Sequence, residues 1–95
     1  MKVALTAGED QRHLQFIRQL GLNHVVSGAH ISDKGVIELE TLERRKDYFE
    51  KNDLIWDVIE NLPPLCYNKV MFGSDGRDEQ IQNVCQSIEN IGAAG

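Results

Sequence analysis

Ninety-five residues allow one domain with a modest core, and 41% apolar with 26% charged residues is ordinary for a soluble globular chain. A net charge of −5, with no Lys/Arg cluster interleaved with aromatics, excludes the basic stripe of a nucleic-acid binder. No apolar run approaches transmembrane length, so neither nucleic acid nor membrane is an expected partner.

The first apolar run, Val3-Ala4-Leu5, predicts a strand. It begins two residues after Met1, which leaves no room for a signal peptide. Cys66 and Cys85 lack metal-like or redox spacing, so a reduced cytoplasmic protein is expected. A first helix is predicted from Glu9-Asp10, whose charges suit a first turn, to the stop signal at Gly21. His13, Phe16, Ile17 and Leu20 fall on one face of it. His13 is read as a packing residue, because no second ligand type stands a turn away.

A second strand is predicted from His24 to His30, with a loop signalled by Gly28 and Ser32-Asp33-Lys34-Gly35. The second helix spans Leu39 to Lys51, with Leu39, Leu42 and Phe49 inward and the Lys46 stem beside them. Arg44-Arg45-Lys46 follows Glu38, Glu40 and Glu43, the order a helix dipole favours, and is read as a solvated face.

The third strand, Leu54 to Glu60, is nearly continuous in apolar residues, as in a strand covered on both faces. Strict alternation gives Ile55, Asp57 and Ile59 one face and Leu54, Trp56, Val58 and Glu60 the other. If Glu60 points into a barrel, Asp57 lies toward the helices, bonded to a loop or helix end. Pro63-Pro64 opens a connection whose apolar part, residues 65–72, suits the lid or wall of a site. Gly73-Ser74-Asp75-Gly76 leads into a third helix, capped by Asp75 or Asp78 and ended by Gly92. Its apolar stripe is Ile81, Val84, Cys85, Ile88 and Ile91, which makes Cys85 a small buried hydrophobe.

Strands alternating with helices imply an α/β fold of parallel strands in βα units. Chemistry in such folds gathers at the carboxyl ends of the strands. The residues there are Thr6, Gly8 and Glu9, then Ser27 and His30, then Glu60 and Asn61. Glu60 and Asn61 are the leading substrate-binding candidates: a carboxylate and an amide can hold sugar hydroxyls or orient a base. The alternative for Glu60 is simple pairing with a barrel neighbour. His30 is the next candidate, as an acid/base or a polar contact to a carboxylate, against a structural or merely exposed role. No P-loop, dinucleotide fingerprint, nucleophile elbow or zinc motif is present, and no catalytic residue is assigned.

The stretch Leu54-Ile55-Trp56-Asp57-Val58-Ile59-Glu60-Asn61-Leu62-Pro63 resembles the strand-three signature of mannonate dehydratases. Gly76 to Val84, continuing through Ile88-Glu89-Asn90-Ile91 to Ala94-Gly95, is similar to the segment that follows in that family. Ala29-His30 with Leu39-Glu40 and Leu42 fits its second βα unit. The chain departs from the family at Thr6-Ala7-Gly8, where an aromatic-rich stretch is usual, and at Leu65-Cys66-Tyr67-Asn68, where a His-containing segment is usual.

This resemblance implies a (β/α)8 TIM barrel of the xylose-isomerase-like type, of which residues 1–95 would be the first three βα units, truncated before strand four. It implies a lyase that removes water from D-mannonate to give 2-keto-3-deoxygluconate in glucuronate catabolism. Fe²⁺ or Mn²⁺ would act as Lewis acid, on ligands expected beyond Gly95. A sugar-acid substrate and, for the full-length enzyme, a homo-oligomer are the implied partners. The fragment alone is expected to be inactive, with apolar residues bare on one sheet face. The competing readings are a sugar isomerase or epimerase on the same barrel, and a non-catalytic partial-barrel binding or assembly module.

Overall fold

The computed structural model describes residues 2–95. In chain order the elements are β1 (Ala4–Thr6), α1 (Gln11–Gln19), β2 (His24–Ser27), α2 (Leu39–Lys51), β3 (Ile55–Ile59), α3 (Asn68–Phe72) and α4 (Arg77–Ala94). A 3-10 turn, Pro64–Cys66, precedes α3. The strands form one open parallel sheet in the order β1-β2-β3, so the fold is α/β as the alternation predicts. Two compact units result: residues through Gly28 with Arg44–Asn61, and Ala29–Glu43 with Leu62–Gly95.

The first unit contains the sheet. Its core is Ala7, Leu14, Ile17, Val25, Phe49 and Leu54, with Leu5, Leu22, Tyr48 and Trp56 packed on the edges. Full burial of a Leu, Ile or Phe side chain contributes about 1.5–3 kcal/mol, so these few residues carry most of the unit's stability. Helix α1 starts where predicted, with the Asp10 carboxylate accepting from the Arg12 N–H at 3.0 Å. Its inner face differs from the expectation. Leu14 and Ile17 are buried, whereas Phe16 and Leu20 are about half exposed. Phe16 lies two residues from Leu14, roughly 200° around the helix, so the two cannot share a face. His13 sits at the margin and donates from Nε2 to the Thr6 carbonyl at 2.8 Å.

Strand β2 ends at Ser27, so His30 lies beyond it rather than within it. In β3 the strict alternation fails at Asp57. Val25 pairs with Trp56 but Val26 pairs with Val58, which leaves Asp57 as the extra residue of a β-bulge. Trp56 packs into the helix-side core beside Val25. Asp57 instead meets His24, its Oδ2 lying 2.5 Å from His24 Nδ1 and 3.9 Å from Lys2 Nζ. Its partner is thus the neighbouring strand, not a loop or helix end. His24 alternates with the buried Val25, so Asp57 belongs to the face away from the helices. Past the bulge, Ile59 pairs with Ser27, and Glu60 falls on the face of Val26 and Val58. Trp56 and Glu60 therefore do not share a face. Ile55 and Val58 are about half exposed, so β3 is not covered on both sides.

In the second unit, α4 turns its polar side inward. Gln80 and Ser87 are buried, while Ile81, Ile88 and Cys85 are exposed, the reverse of the predicted stripe. The physical reason is the partner: this helix packs on irregular backbone that needs hydrogen bonds. Gln80 Oε1 accepts from the Lys69 and Val70 N–H groups, and its Nε2 donates to the Leu65 carbonyl. Ser87 Oγ accepts from the Ile37 N–H at 2.9 Å, and Asn90 donates to the Ile37 carbonyl at 2.9 Å. Neither Asp75 nor Asp78 caps this helix; its N-cap is Gly76, at φ 89°, without a side-chain cap. It passes Gly92 and runs to Ala94. Cys66 is buried, and burial pushes its thiol above the ordinary pKa, so it is a packing residue and not a nucleophile. No helix among the described residues is long and apolar enough to cross a membrane.

Candidate functional site

The carboxyl ends of β1, β2 and β3 are held in line by the ladder itself. The Ala7 N–H donates to the Val26 carbonyl at 2.9 Å, and the Glu60 N–H to the Ser27 carbonyl at 3.2 Å. The Trp56 indole N–H reinforces this end, donating to the carbonyls of Ser27 (3.2 Å) and Val58 (3.0 Å). Val58 is the residue after the bulge, so the indole clasps the backbone that the bulge distorts. The Trp56 side chain thus ties the carboxyl ends of β2 and β3 together at the bulge.

Arg45 supplies a second clamp, and this corrects its reading as a solvated residue. Its side chain is only 10% exposed. Nη1 donates to Glu9 Oε1 at 2.8 Å and Nη2 donates to Ser27 Oγ at 2.7 Å. The guanidinium carbon lies 5.6 Å from the Phe49 ring centroid and 5.7 Å from that of Trp56. A planar, weakly hydrated cation is suited to such a site, where a lysine ammonium would not be. Beside it, the Tyr48 hydroxyl donates to the Glu9 carbonyl at 2.9 Å and accepts from Gln11 Nε2 at 2.7 Å. The loop after β1 is therefore gripped through both the backbone and the side chain of Glu9.

Against that scaffold, Glu60 and Asn61 are exposed at the end of β3. Among the described residues the Glu60 carboxylate makes no hydrogen bond or ion pair, and neither does the Asn61 amide. Asn61 adopts φ 57°, a left-handed conformation that Asn tolerates better than most residues, and so turns the chain out of the strand. His30 is exposed and belongs to the second unit, just after the buried Ala29. That unit also holds a cavity of about 450 Å³ lined in part by Lys34, Lys69, Glu79 and Asn83.

The family model described as D-mannonate dehydratase (UxuA) matches residues 1–95. The chain belongs to the D-mannonate dehydratase family. A mannonate dehydratase of Saccharophagus degradans is 36% identical over 87 residues, covering 90% of this chain and 21% of its own length. One from Marinomonas sp. is 30% identical over 87 residues, covering 90% of this chain and 22% of its own. The chain thus spans about a fifth of the length of these curated relatives. No solved structure matches.

Within this dehydratase-family chain, no three His, Cys, Asp or Glu side chains among the described residues converge to hold a metal ion. The His24–Asp57 pair has no third ligand beside it. The described residues therefore offer a carboxylate and an amide at one sheet edge but no ligand set for a metal ion. Arg45 and the bulge at Asp57 escaped the sequence reading for different reasons. Arg45 stands in a charged helical run that is indistinguishable from a surface stripe. The bulge has a signal, an acidic residue interrupting an apolar strand, but only the pairing partner gives its meaning.

Proposed function

We propose that this chain is part of a lyase that dehydrates D-mannonate to 2-keto-3-deoxygluconate, built on a (β/α)8 barrel whose first strands are β1 to β3. The match of the family model to residues 1–95 carries the proposal. The unpartnered Glu60 carboxylate and Asn61 amide support it, since they offer acceptors and donors to substrate hydroxyls without first breaking another bond. His30 adds an imidazole suited to a polar contact with the substrate carboxylate or to proton transfer. Fe²⁺ or Mn²⁺ would supply the Lewis acid for this lyase, on ligands outside the described residues, among which no ligand set forms.

The test is an assay of 2-keto acid formed from D-mannonate by the full-length protein supplied with Mn²⁺. Turnover is expected there, and Glu60→Gln should lower kcat/KM by about 10- to 100-fold, the worth of one charge-assisted hydrogen bond. Robust turnover by residues 1–95 alone would overturn the assignment of the metal chemistry to other parts of the protein.

A further inference from the structure

We propose that Glu9 is a second substrate-binding carboxylate and that Arg45 is the residue that positions it. The inference rests on the dehydratase reading for the reaction, but its geometry is independent of that reading. Glu9 stands in the loop after β1, its side chain 56% exposed, yet it is held at two points. Arg45 takes Oε1 at 2.8 Å, and the Tyr48 hydroxyl takes the backbone carbonyl at 2.9 Å. Oε2 has no partner among the described residues. Arg45 is itself fixed by Ser27 Oγ at 2.7 Å and by the Phe49 and Trp56 rings. A surface ion pair for stability alone contributes about 0–1 kcal/mol and does not require a buried guanidinium. A carboxylate held rigid with one oxygen left over is the arrangement a binding site requires.

The sheet order supplies the second observation. β1 and β3 flank β2, two strand spacings or about 10 Å apart. The strand between them ends at Ser27 and is followed by Gly28, which places no side chain on that edge; a Cβ there would meet only the Glu60 carbonyl, at 3.7 Å. Gly8 is likewise open, with nothing within 4 Å of an added Cβ. Glu9 and Glu60 thus follow strands on either side of an edge stripped to backbone, Glu9 held toward the helix side by Arg45 and Glu60 leaving on the face of Val26 and Val58. Carboxylates after two of the three strands suit a ligand that donates several hydroxyls along its chain, as a polyhydroxy acid does beyond its own carboxylate.

The experiment uses the full-length protein and the variants Glu9→Gln and Arg45→Lys, with steady-state kinetics on D-mannonate and calorimetric binding of D-mannonate and D-gluconate. For Glu9→Gln, KM and the calorimetric Kd should rise about tenfold; the thermal midpoint should fall modestly, because the amide oxygen can still accept from Arg45 while the charge partner of that buried cation is lost. Arg45→Lys should raise KM with kcat kept within about twofold, because the carboxylate is displaced and not removed. Normal KM and Kd in a folded Glu9→Gln protein would overturn the inference while leaving the dehydratase reading intact. Absent turnover together with Glu9-dependent binding of either acid would do the reverse. Failure of the wild type to bind either acid would overturn the inference as well.

Discussion

Asn61 is the residue at which local conformation and proposed chemistry coincide. At φ 57° a β-carbon approaches the following carbonyl, costing most residues about 1–2 kcal/mol, while Gly is free of this and Asn tolerates it. Asn61→Gly is therefore expected to leave the denaturation midpoint nearly unchanged. Asn61→Val should lower stability by about 1–2 kcal/mol, read from urea unfolding. If the amide also binds substrate, Asn61→Gly separates the two roles by raising KM in a protein that folds normally. Asn61 was legible from the sequence as a strand-end residue, but its left-handed backbone was not. Nothing in the one-letter string distinguishes an Asn that turns the chain from one that continues it.

At the scale of elements, α4 shows how a pattern can be read correctly and assigned to the wrong side. Its apolar residues do recur at helical spacing, as do Gln80, Asn83, Ser87 and Asn90. The polar set is the inward one, with Gln80 and Ser87 buried, because the segments around Ile37, Leu65 and Lys69 present backbone groups with no ladder to satisfy them. Ser87→Ala removes the acceptor for the Ile37 N–H, a residue with no exposed surface. Stranding that donor should cost about 1–3 kcal/mol, more than the loss of a surface hydroxyl, and amide hydrogen exchange at Ile37 would report it directly. Exposed Ile88→Ala on the opposite face is the control and should change stability by less than about 0.5 kcal/mol. Helix α1 carries the same lesson more mildly. Leu14 and Ile17 outrank the more conspicuous Phe16, because position over the sheet, not hydrophobicity, selects the inner face.

Over the whole molecule, the first unit is tied at the carboxyl end of its sheet by Arg45, which links the loop after β1, the end of β2 and helix α2. Arg45→Ala should destabilise the chain by about 2–3 kcal/mol in denaturant unfolding, since two short bonds to a buried cation are lost together. The alternation of strands and helices, the parallel sheet they imply and the strand end at Glu60 and Asn61 followed from the sequence alone. These depend on local periodicity and on residues that start or stop elements, which each segment carries within itself. The tertiary structure alone decided that Asp57 bulges toward His24, that Arg45 is buried and that α4 turns its amides inward. Each depends on what another part of the chain presents, a strand to pair with, a carboxylate to hold or a bare backbone to satisfy, and no local pattern encodes its partner.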